Sequence, residues 1–309
     1  GKLAGRYGDR AKAVKLRGET SLGLLLPFDD DVIENHEGLT LNLEDVYLGE
    51  DVSEFLGITK YEPPIPASMD GEVCNTLGKT LKYDIDNIKN LPEILESIID
   101  TELPYVITEK LHGSWCCFGY YPDASPEVPD GNWIISSKGL SAKGLAFKDN
   151  EANENNIYMR MFKKLSAELD RLKDVIISEF NHDEVYILGE IYGRGIQDLS
   201  YGLNESHFRV FDIYVGIPQK GRYLTYKEMS DILSQEEFEA VPELYIGPLT
   251  HDVIQEYTNG KDSITGTHMR EGIVFRPYKV EINNTSIDRY IFKSISDDYL
   301  NRKGGTEHN

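Results

Sequence analysis

Four strand-like apolar runs each contain or adjoin one charged residue, and no other feature of the sequence constrains the fold as strongly. Lysine and glutamate are rarely buried without a partner, because desolvating an unpaired charge costs free energy. If it is buried, each of these charges needs a polar ligand, a metal-bound water or a residue of opposite charge as its partner. The four charged residues are Lys110, Glu190, Glu271 and Lys293.

The rest of the pattern mixes strands with helices and predicts the α+β class. Apolar residues recur at helical spacing over Leu91–Asp100 and Phe162–Ile176, and Thr225–Glu228 fits a capping box that opens a further helix. With 40% hydrophobic residues, 19 tyrosines and 11 phenylalanines, the chain can build a core. Strands are predicted at Tyr105–Thr108, Trp115–Tyr121, Trp133–Ser137, Val185–Ile191, Phe208–Val215, Gly272–Arg276 and Tyr290–Ile295.

Residues 1–65 are predicted to form a β-rich N-terminal module, and residues 66–309 the main domain. The boundary is placed at Tyr61–Pro66, where three prolines stiffen the chain. The elements predicted within the module are strands at Ala13–Arg17 and Leu22–Leu26, an alternating run at Leu39–Val46 and a short helix at Val52–Ile58.

The net charge of −21 argues against a protein that coats nucleic acid, because such proteins are usually basic. An enzyme that concentrates cations in one cleft remains compatible with it. The three cysteines give no disulfide framework and no zinc ribbon. The sequence shows neither a signal peptide nor an apolar run approaching the roughly 20 residues that span a membrane. We therefore predict a soluble, cytoplasmic protein without membrane association, and nothing in the sequence predicts a protein partner.

Lys110 follows a strand-like run and is itself followed by Leu111, His112 and Gly113. This arrangement suits phosphoryl chemistry, because the strand fixes the lysine and the glycine lets the backbone approach a nucleotide closely. A free lysine, with a pKa of about 10.4, is a poor nucleophile until a metal ion or another cation favours its neutral form. A surface lysine beside a turn explains the same segment, so the motif alone leaves both readings open.

The other charged positions each have two readings as well. Glu190 is either held by a ribose hydroxyl or metal-bound water, or it faces solvent from its strand. Strand alternation places Glu271 and Arg276 on opposite faces unless a bulge intervenes. Glu271 is the better metal-site candidate, and Arg276 contacts phosphate or forms an ion pair. Lys293 meets a phosphate or a neighbouring acid.

Taken together, the order of these segments resembles the covalent nucleotidyltransferases, a superfamily of DNA ligases, RNA ligases and mRNA capping enzymes. The segments are Lys110–Gly113, Gly189–Glu190, Glu271–Arg276 and Lys293. Histidine at the third position of the nucleophile motif resembles one branch of ATP-dependent RNA ligases, whose members carry an N-terminal OB-type module. Lys12–Pro27 is similar to the end of such a module. The resemblance implies two antiparallel sheets flanked by helices around a nucleotide cleft, preceded by a small, short OB-like module.

The resemblance also implies how the nucleotide is bound. Lys110 is the nucleophile that attacks the α-phosphate of ATP and becomes adenylated. Glu109 helps to frame the adenine through its backbone, and Lys138, in Ser136–Lys138, touches ribose or phosphate. In the run Phe208–Asp212, an aromatic ring stacks on adenine; Phe211 is preferred, with Phe208 as the alternative.

The remaining implied roles concern the metal and the phosphates. Glu271 holds the water shell of Mg²⁺ or Mn²⁺, and Glu190 binds ribose or an outer-shell water of the metal. Lys293 binds the α-phosphate and assists the departing pyrophosphate. The superfamily usually has a second lysine in this last strand, and here Ser294 follows instead, so Arg276 or Lys138 is expected to supply charge.

The role of His112 stays open, because the superfamily usually has aspartate there and a structural histidine explains the residue equally well. The function implied is ATP-dependent joining of RNA 3′-hydroxyl and 5′-phosphate ends, through lysyl-AMP and an adenylylated 5′-phosphate. The choice between a nicked duplex and free single strands stays open. The alternatives are a capping guanylyltransferase that uses GTP, a DNA ligase, and a non-catalytic RNA-binding module of the same fold.

Overall fold

The computed structural model of the protein describes residues 14–16, 19–21, 32–34, 38–47, 50, 52, 55–56, 72–99, 101–122, 133–282 and 289–302. The chain divides into two compact units, Gly1–Pro64 and Ile65–Asn309. The proline segment at which the sequence predicts the boundary lies outside the described residues, and the two units are considered separately.

The described part of the first unit consists of two short antiparallel hairpins, followed by a 3₁₀ turn at Leu43–Asp45. The strand predicted at Ala13–Arg17 is observed as the first of these strands. The predicted strand at Leu22–Leu26 and most of the predicted helix at Val52–Ile58 lie outside the described residues, so the OB-type module stays a prediction. The strands are β1 (Val14–Leu16), β2 (Glu19–Ser21), β3 (Val32–Glu34) and β4 (Thr40–Asn42).

The second unit mixes strands with helices. Its strands are β5 (Val73–Asn75), β6 (Asp86–Asn87), β7 (Tyr105–Lys110), β8 (Gly113–Tyr120), β9 (Trp133–Ser137), β10 (Leu145–Phe147), β11 (Val185–Gly193), β12 (Ser206–Val215), β13 (Arg222–Tyr223), β14 (Glu243–Gly247), β15 (Gly272–Pro277) and β16 (Phe292–Ile295). Its helices are α1 (Pro92–Ile98), α2 (Lys138–Ala142), α3 (Ile157–Phe180), α4 (Tyr226–Gln235), α5 (His251–Thr258) and α6 (Asp297–Leu300), with 3₁₀ turns at Ile88–Asn90 and Glu151–Asn153.

Two five-stranded sheets account for most of these strands in the described part of the chain. The first sheet has the order β13-β12-β11-β8-β9 and is antiparallel throughout. The second has the order β14-β7-β15-β16-β6 and is antiparallel except at its edge, where β16 and β6 run parallel. The predicted α+β class with two sheets flanked by helices is therefore confirmed, and the parallel pair at the edge is a feature that the sequence did not reveal.

Helix α3 closes the main core against the first sheet. Its residues Leu169, Leu172 and Ile176 are fully buried and lie on one helical face, as the apolar spacing predicts. The capping box predicted at Thr225 is confirmed, since its side chain accepts from the Glu228 N–H and the Glu228 carboxylate accepts from the Thr225 N–H. The apolar face of α3 therefore packs on the first sheet, and the capping box fixes where α4 begins.

The connection between β7 and β8 positions the candidate nucleophile. Only Leu111 and His112 separate the two strands, so a single turn joins one sheet to the other directly after Lys110. A Cβ atom on Gly113 would collide with the carbonyl oxygen of Ile191 on the neighbouring strand. Glycine is therefore required at this close approach. It fixes where the turn at Leu111–His112 meets the first sheet.

Candidate active site

A cavity of about 770 Å³ lies within the second unit and is lined by strands of both sheets. Its volume falls in the range of about 300–1,000 Å³ that is typical of small-molecule sites. The structure brings to its wall all of the residues that the sequence analysis singled out for nucleotide and metal binding. They are Glu109, Lys110, Lys138, Glu190, Phe211, Glu271, Arg276 and Lys293.

Lys110 and Glu271 form an ion pair at the centre of the cavity wall. Their strands are neighbours, and Lys110 is in register with Gly272. The Glu271 side chain is 6% exposed, whereas that of Lys110 is 28% exposed and is accessible to a ligand. Burial alone would raise the pKa of Glu271, but the charge of Lys110 and the proximity of His112 hold that pKa below its usual value. Glu271 is thus an anion that orients the lysine amine.

His112 is completely engaged by the surrounding protein, and its side chain is only 3% exposed. Its Nδ1 lies 2.6 Å from the Tyr299 hydroxyl, and its Nε2 lies 2.7 Å from Asp198 Oδ1. Its backbone N–H donates to the Tyr201 hydroxyl at 2.6 Å. The imidazole is also 3.7 Å from Glu271 Oε2. These contacts show a histidine that holds the turn at Leu111–His112 in place, and no local sequence pattern indicates these distant partners.

Glu190 and Lys293 both line the same cavity. Burial raises the pKa of Glu190 to about 8, against the lowering effect of Lys110. Burial also lowers the pKa of Lys293, and repulsion from Lys110 adds to this effect. At the cavity rim, Lys138 begins α2 and pairs with Asp84 at 3.1 Å, and both side chains are largely exposed. The site therefore combines three lysines with two glutamates.

The two candidate aromatic residues occupy different environments. Phe211 lies on the cavity wall, and its ring centroid is 5.3 Å from that of Tyr83. Phe208 is 5% exposed and packs in the main core, with its ring 5.0 Å from that of Phe118. The geometry thus favours Phe211 over Phe208 as the residue that can stack on a base.

This difference gives a paired prediction. We expect Phe211→Leu to raise the ATP concentration needed for half-maximal self-adenylation by several-fold, because a stacking contact is worth about 0.5–1.5 kcal/mol. Phe208→Leu should instead lower the free energy of unfolding by about 1 kcal/mol, because it changes the shape of a packed core, and should leave the ATP requirement unchanged. Urea unfolding and ATP titration of both variants measure the two effects. If Phe208→Leu raised the ATP requirement and Phe211→Leu left it unchanged, Phe208 would be the residue that contacts the base.

Arg276 is engaged in a buried ion-pair network that sequence analysis did not foresee. Its Nη1 lies 2.8 Å from Asp212 Oδ1, while Arg289 Nη1 lies 2.7 Å from Asp212 Oδ2. The Tyr83 hydroxyl also donates to Asp212, at 3.1 Å. Arg276 therefore adopts the ion-pair alternative beside the cavity. The signal that was overlooked is Asp212 itself, a charged residue inside the apolar strand that follows Phe211.

Glu109 points its carboxylate away from the lysine beside it. The carboxylate is 1% exposed overall and accepts hydrogen bonds from the backbone N–H and hydroxyl of Ser263. Burial raises its pKa in spite of these bonds. Its own N–H donates to the Pro242 carbonyl at 2.8 Å. The side chain thus ties β7 to the 262–268 loop.

A metal ion at this site would be coordinated by few protein side chains. Within the described residues, no group of three or more His, Cys, Asp or Glu side chains is arranged to hold a metal ion. Glu190 and Glu271 nevertheless place two carboxylates on one cavity wall. Mg²⁺ usually keeps several waters and uses one or two carboxylates together with substrate phosphates, so the donor set fits such an ion.

A two-sheet cleft with a lysine–glutamate pair at its centre defines a covalent nucleotidyltransferase. The model of the family described as RNA ligase matches residues 103–295. The chain belongs to this RNA ligase family. No curated protein matches the chain. No helix in the described ranges is long and apolar enough to cross a bilayer.

Solved structures of Naegleria gruberi RNA ligase are similar to this chain over nearly its whole length. An apo mutant is 26% identical with a TM-score of 0.56, and the similarity covers 95% of this chain and 76% of that chain. The complex with pyrophosphate is also 26% identical, with a TM-score of 0.55 and the same coverage, 95% and 76%. A mutant solved with ATP and Mn is 27% identical, with a TM-score of 0.54, again over 95% and 76%.

Proposed function

We propose that the protein joins RNA ends with ATP, through a covalent lysyl-AMP on Lys110. The observation that carries this proposal is the Lys110–Glu271 pair in a cavity that also gathers Lys138, Glu190 and Lys293. A lysine amine, held by a carboxylate and surrounded by further lysines, suits attack on a triphosphate. The similarity to RNA ligases solved with ATP and Mn or with pyrophosphate supports the same substrate.

In the first step, the neutral Lys110 amine forms a P–N bond to the α-phosphate, and the bond to pyrophosphate breaks. The proton of the amine passes to solvent or to the leaving group. Glu271 orients the amine before attack, and Lys293 and Lys138 neutralise charge on the phosphates. Phosphoryl transfer depends mainly on such positioning and charge neutralisation. Phe211 stacks on the base and sets the position of the α-phosphate relative to Lys110.

In the second step, a 5′-phosphate oxygen of RNA attacks the lysyl-AMP phosphorus, and the P–N bond breaks to return the amine. In the third step, an RNA 3′-hydroxyl attacks the adenylylated 5′-phosphate and releases AMP. The new bond is an ordinary phosphodiester. ATP is the only co-substrate, and it leaves as pyrophosphate in the first step and as AMP in the third. Lys110 acts as a nucleophile in the first step alone.

Glu271 and Glu190 would hold the water shell of a divalent ion, which would supply further neutralisation of phosphate charge. We expect EDTA to abolish self-adenylation and added Mn²⁺ or Mg²⁺ to restore it. The measurement is transfer of label from α-labelled ATP to protein at fixed ionic strength, with Ca²⁺ as a comparison. Undiminished labelling in excess EDTA would refute the metal requirement, and the lysine chemistry would then have to rest on Lys138 and Lys293.

The choice of nucleotide is tested by incubating the protein with α-labelled ATP or α-labelled GTP and detecting label on the denatured chain. ATP labelling alone supports the proposal. GTP labelling alone would indicate a capping guanylyltransferase, and labelling by neither nucleotide would favour a non-catalytic RNA-binding module. This one experiment therefore tests both alternatives, the capping enzyme and the binding module.

The ends that are joined are tested with RNA strands that differ at one position. We propose that sealing requires a 3′-hydroxyl and a 5′-phosphate, so a 3′-deoxy or 5′-hydroxyl end should block it. Single strands, nicked duplexes, and duplexes with DNA on either side of the nick then define the substrate. Sealing of all-DNA nicks at an equal rate would move the assignment to DNA ligation.

A further inference from the structure

Two segments of this acidic protein contain lysines and no acidic residue. The chain contains 53 Asp and Glu residues, yet neither residues 73–83 nor residues 133–148 contain one. The two segments carry five lysines. They are Lys79, Lys82, Lys138, Lys143 and Lys148.

The fold joins these two segments into one surface. Strands β5 and β10 pair in antiparallel register, with Asn75 opposite Leu145. The Thr80 hydroxyl donates to the Ser141 carbonyl at 2.9 Å, and the Ser141 hydroxyl donates to the Leu81 carbonyl at 2.5 Å. Residues 79–82 are thereby fixed beside α2, so lysines that are far apart in the sequence share one face of the molecule.

Four of these lysines, Lys79, Lys82, Lys138 and Lys143, form what we call the lysine rim. Lys138 lines the cavity, so the rim begins at the candidate active site. Lys82, Lys138 and Lys143 are exposed. Lys148 is not included, because Asp149 follows it and its N–H donates to the Glu72 carbonyl.

The charge of the rim is largely uncompensated by the rest of the described chain. Lys138 pairs with Asp84, whose side chain is 80% exposed, whereas Lys82 and Lys143 have no ion pair with any described residue. Lys79 lies 3.7 Å from the ring centroid of Tyr121, a contact that orients the ammonium without neutralising it. In a chain of net charge −21, such a surface is suited to bind a polyanion.

We propose that the lysine rim binds the phosphodiester backbone of the RNA substrate and guides its end to the cavity. This inference rests on the proposed function, because it takes RNA as the substrate of the adjacent site. Lysines that contact phosphate contribute affinity without reading base sequence, so the rim supplies a track and not a specificity determinant. The net charge of −21 disfavours RNA binding on the rest of the surface taken as a whole.

The test uses Lys82→Gln/Lys143→Gln, which leaves every residue placed in the cavity unchanged. We expect its affinity for a fluorescent, 5′-phosphorylated single-stranded RNA to fall about tenfold at 0.1 M salt. The slope of log affinity against log salt should decrease by about 1.4, which corresponds to two lost phosphate contacts on a single strand. Self-adenylation by ATP should be unchanged. Sealing at subsaturating RNA should fall with affinity.

The matched control is Lys220→Gln/Lys261→Gln, which removes two exposed lysines from elsewhere on the same unit. It should bind RNA as the wild type does, because neither lysine belongs to the rim. That result would show that losing two positive charges elsewhere is not enough to weaken RNA binding. If the rim variant and the control bind equally well, with the same salt slope, the inference is overturned. Failure of the wild type to form lysyl-AMP would instead refute the proposed function, so the two failures are distinguishable.

Discussion

We expect Lys110→Arg to reduce labelling of the protein by α-labelled ATP at least about a thousandfold, because it removes the nucleophile of the first step. Arginine keeps the positive charge beside Glu271, so the ion pair and the fold should survive. A guanidinium, with a pKa above about 12, offers no neutral nitrogen at neutral pH. The measurement is label on the denatured chain, compared with Lys110→Ala, in which the charge is lost as well.

The same variant should still seal RNA that already carries AMP on its 5′-phosphate. The third step attacks a phosphate that is activated on the RNA, and no lysyl bond forms or breaks in it. Sealing of pre-adenylylated RNA also shows that Lys110→Arg is folded. Labelling of Lys110→Arg at the wild-type rate would place the nucleophile on another lysine and would refute the central proposal.

Asp212→Asn should lower the free energy of unfolding by about 3–5 kcal/mol, which is the usual cost of removing one partner from a buried ion pair. Asp212 is fully buried and is shared by Arg276 and Arg289. Although burial alone would raise the pKa of Asp212, the two guanidinium groups hold it below its usual value, so the carboxylate is charged at neutral pH. Asparagine removes the nearest counter-charge of Arg276 and leaves Arg289 with Glu281 as its remaining acidic partner. Urea unfolding measures the loss.

The control for this effect is Asp231→Asn, which breaks an exposed ion pair with Lys227 on α4. Exposed pairs contribute between about 0 and 1 kcal/mol, so this variant should unfold close to the wild-type midpoint. Equal stability of the Asp212 and Asp231 variants would show that Arg276 and Arg289 find other partners, and that the network does not support the cavity wall.

The strands that carry the candidate site could be predicted because each shows a charge inside an apolar run. Lys110, Glu190 and Lys293 are visible in this way from sequence alone, and the structure gathers all three at one cavity. Strand β9 was predicted with its observed bounds, and α1 to within two residues at either end. Periodicity and burial suffice for such elements, because local pattern and tertiary packing agree in them.

Partners brought together from distant parts of the chain could not be predicted. His112 meets Asp198 and Tyr299, which lie 86 and 187 residues further along. No local pattern encodes such a pairing, so the sequence left the role of His112 open. Helices α2 and α5 were also missed. Each is of at most eight residues, too short for helical periodicity to be distinct.

The separation of the paired site residues along the chain has a consequence for synthesis of the protein. Lys110 and Glu271 are 161 residues apart, and Lys293 lies further still towards the C-terminus. A ribosome therefore makes Lys110 long before it makes Glu271 or the strand β16 of the second sheet. Nascent and prematurely terminated chains then lack the assembled pocket and cannot consume ATP. Self-adenylation would accordingly report that translation and folding of this unit are complete.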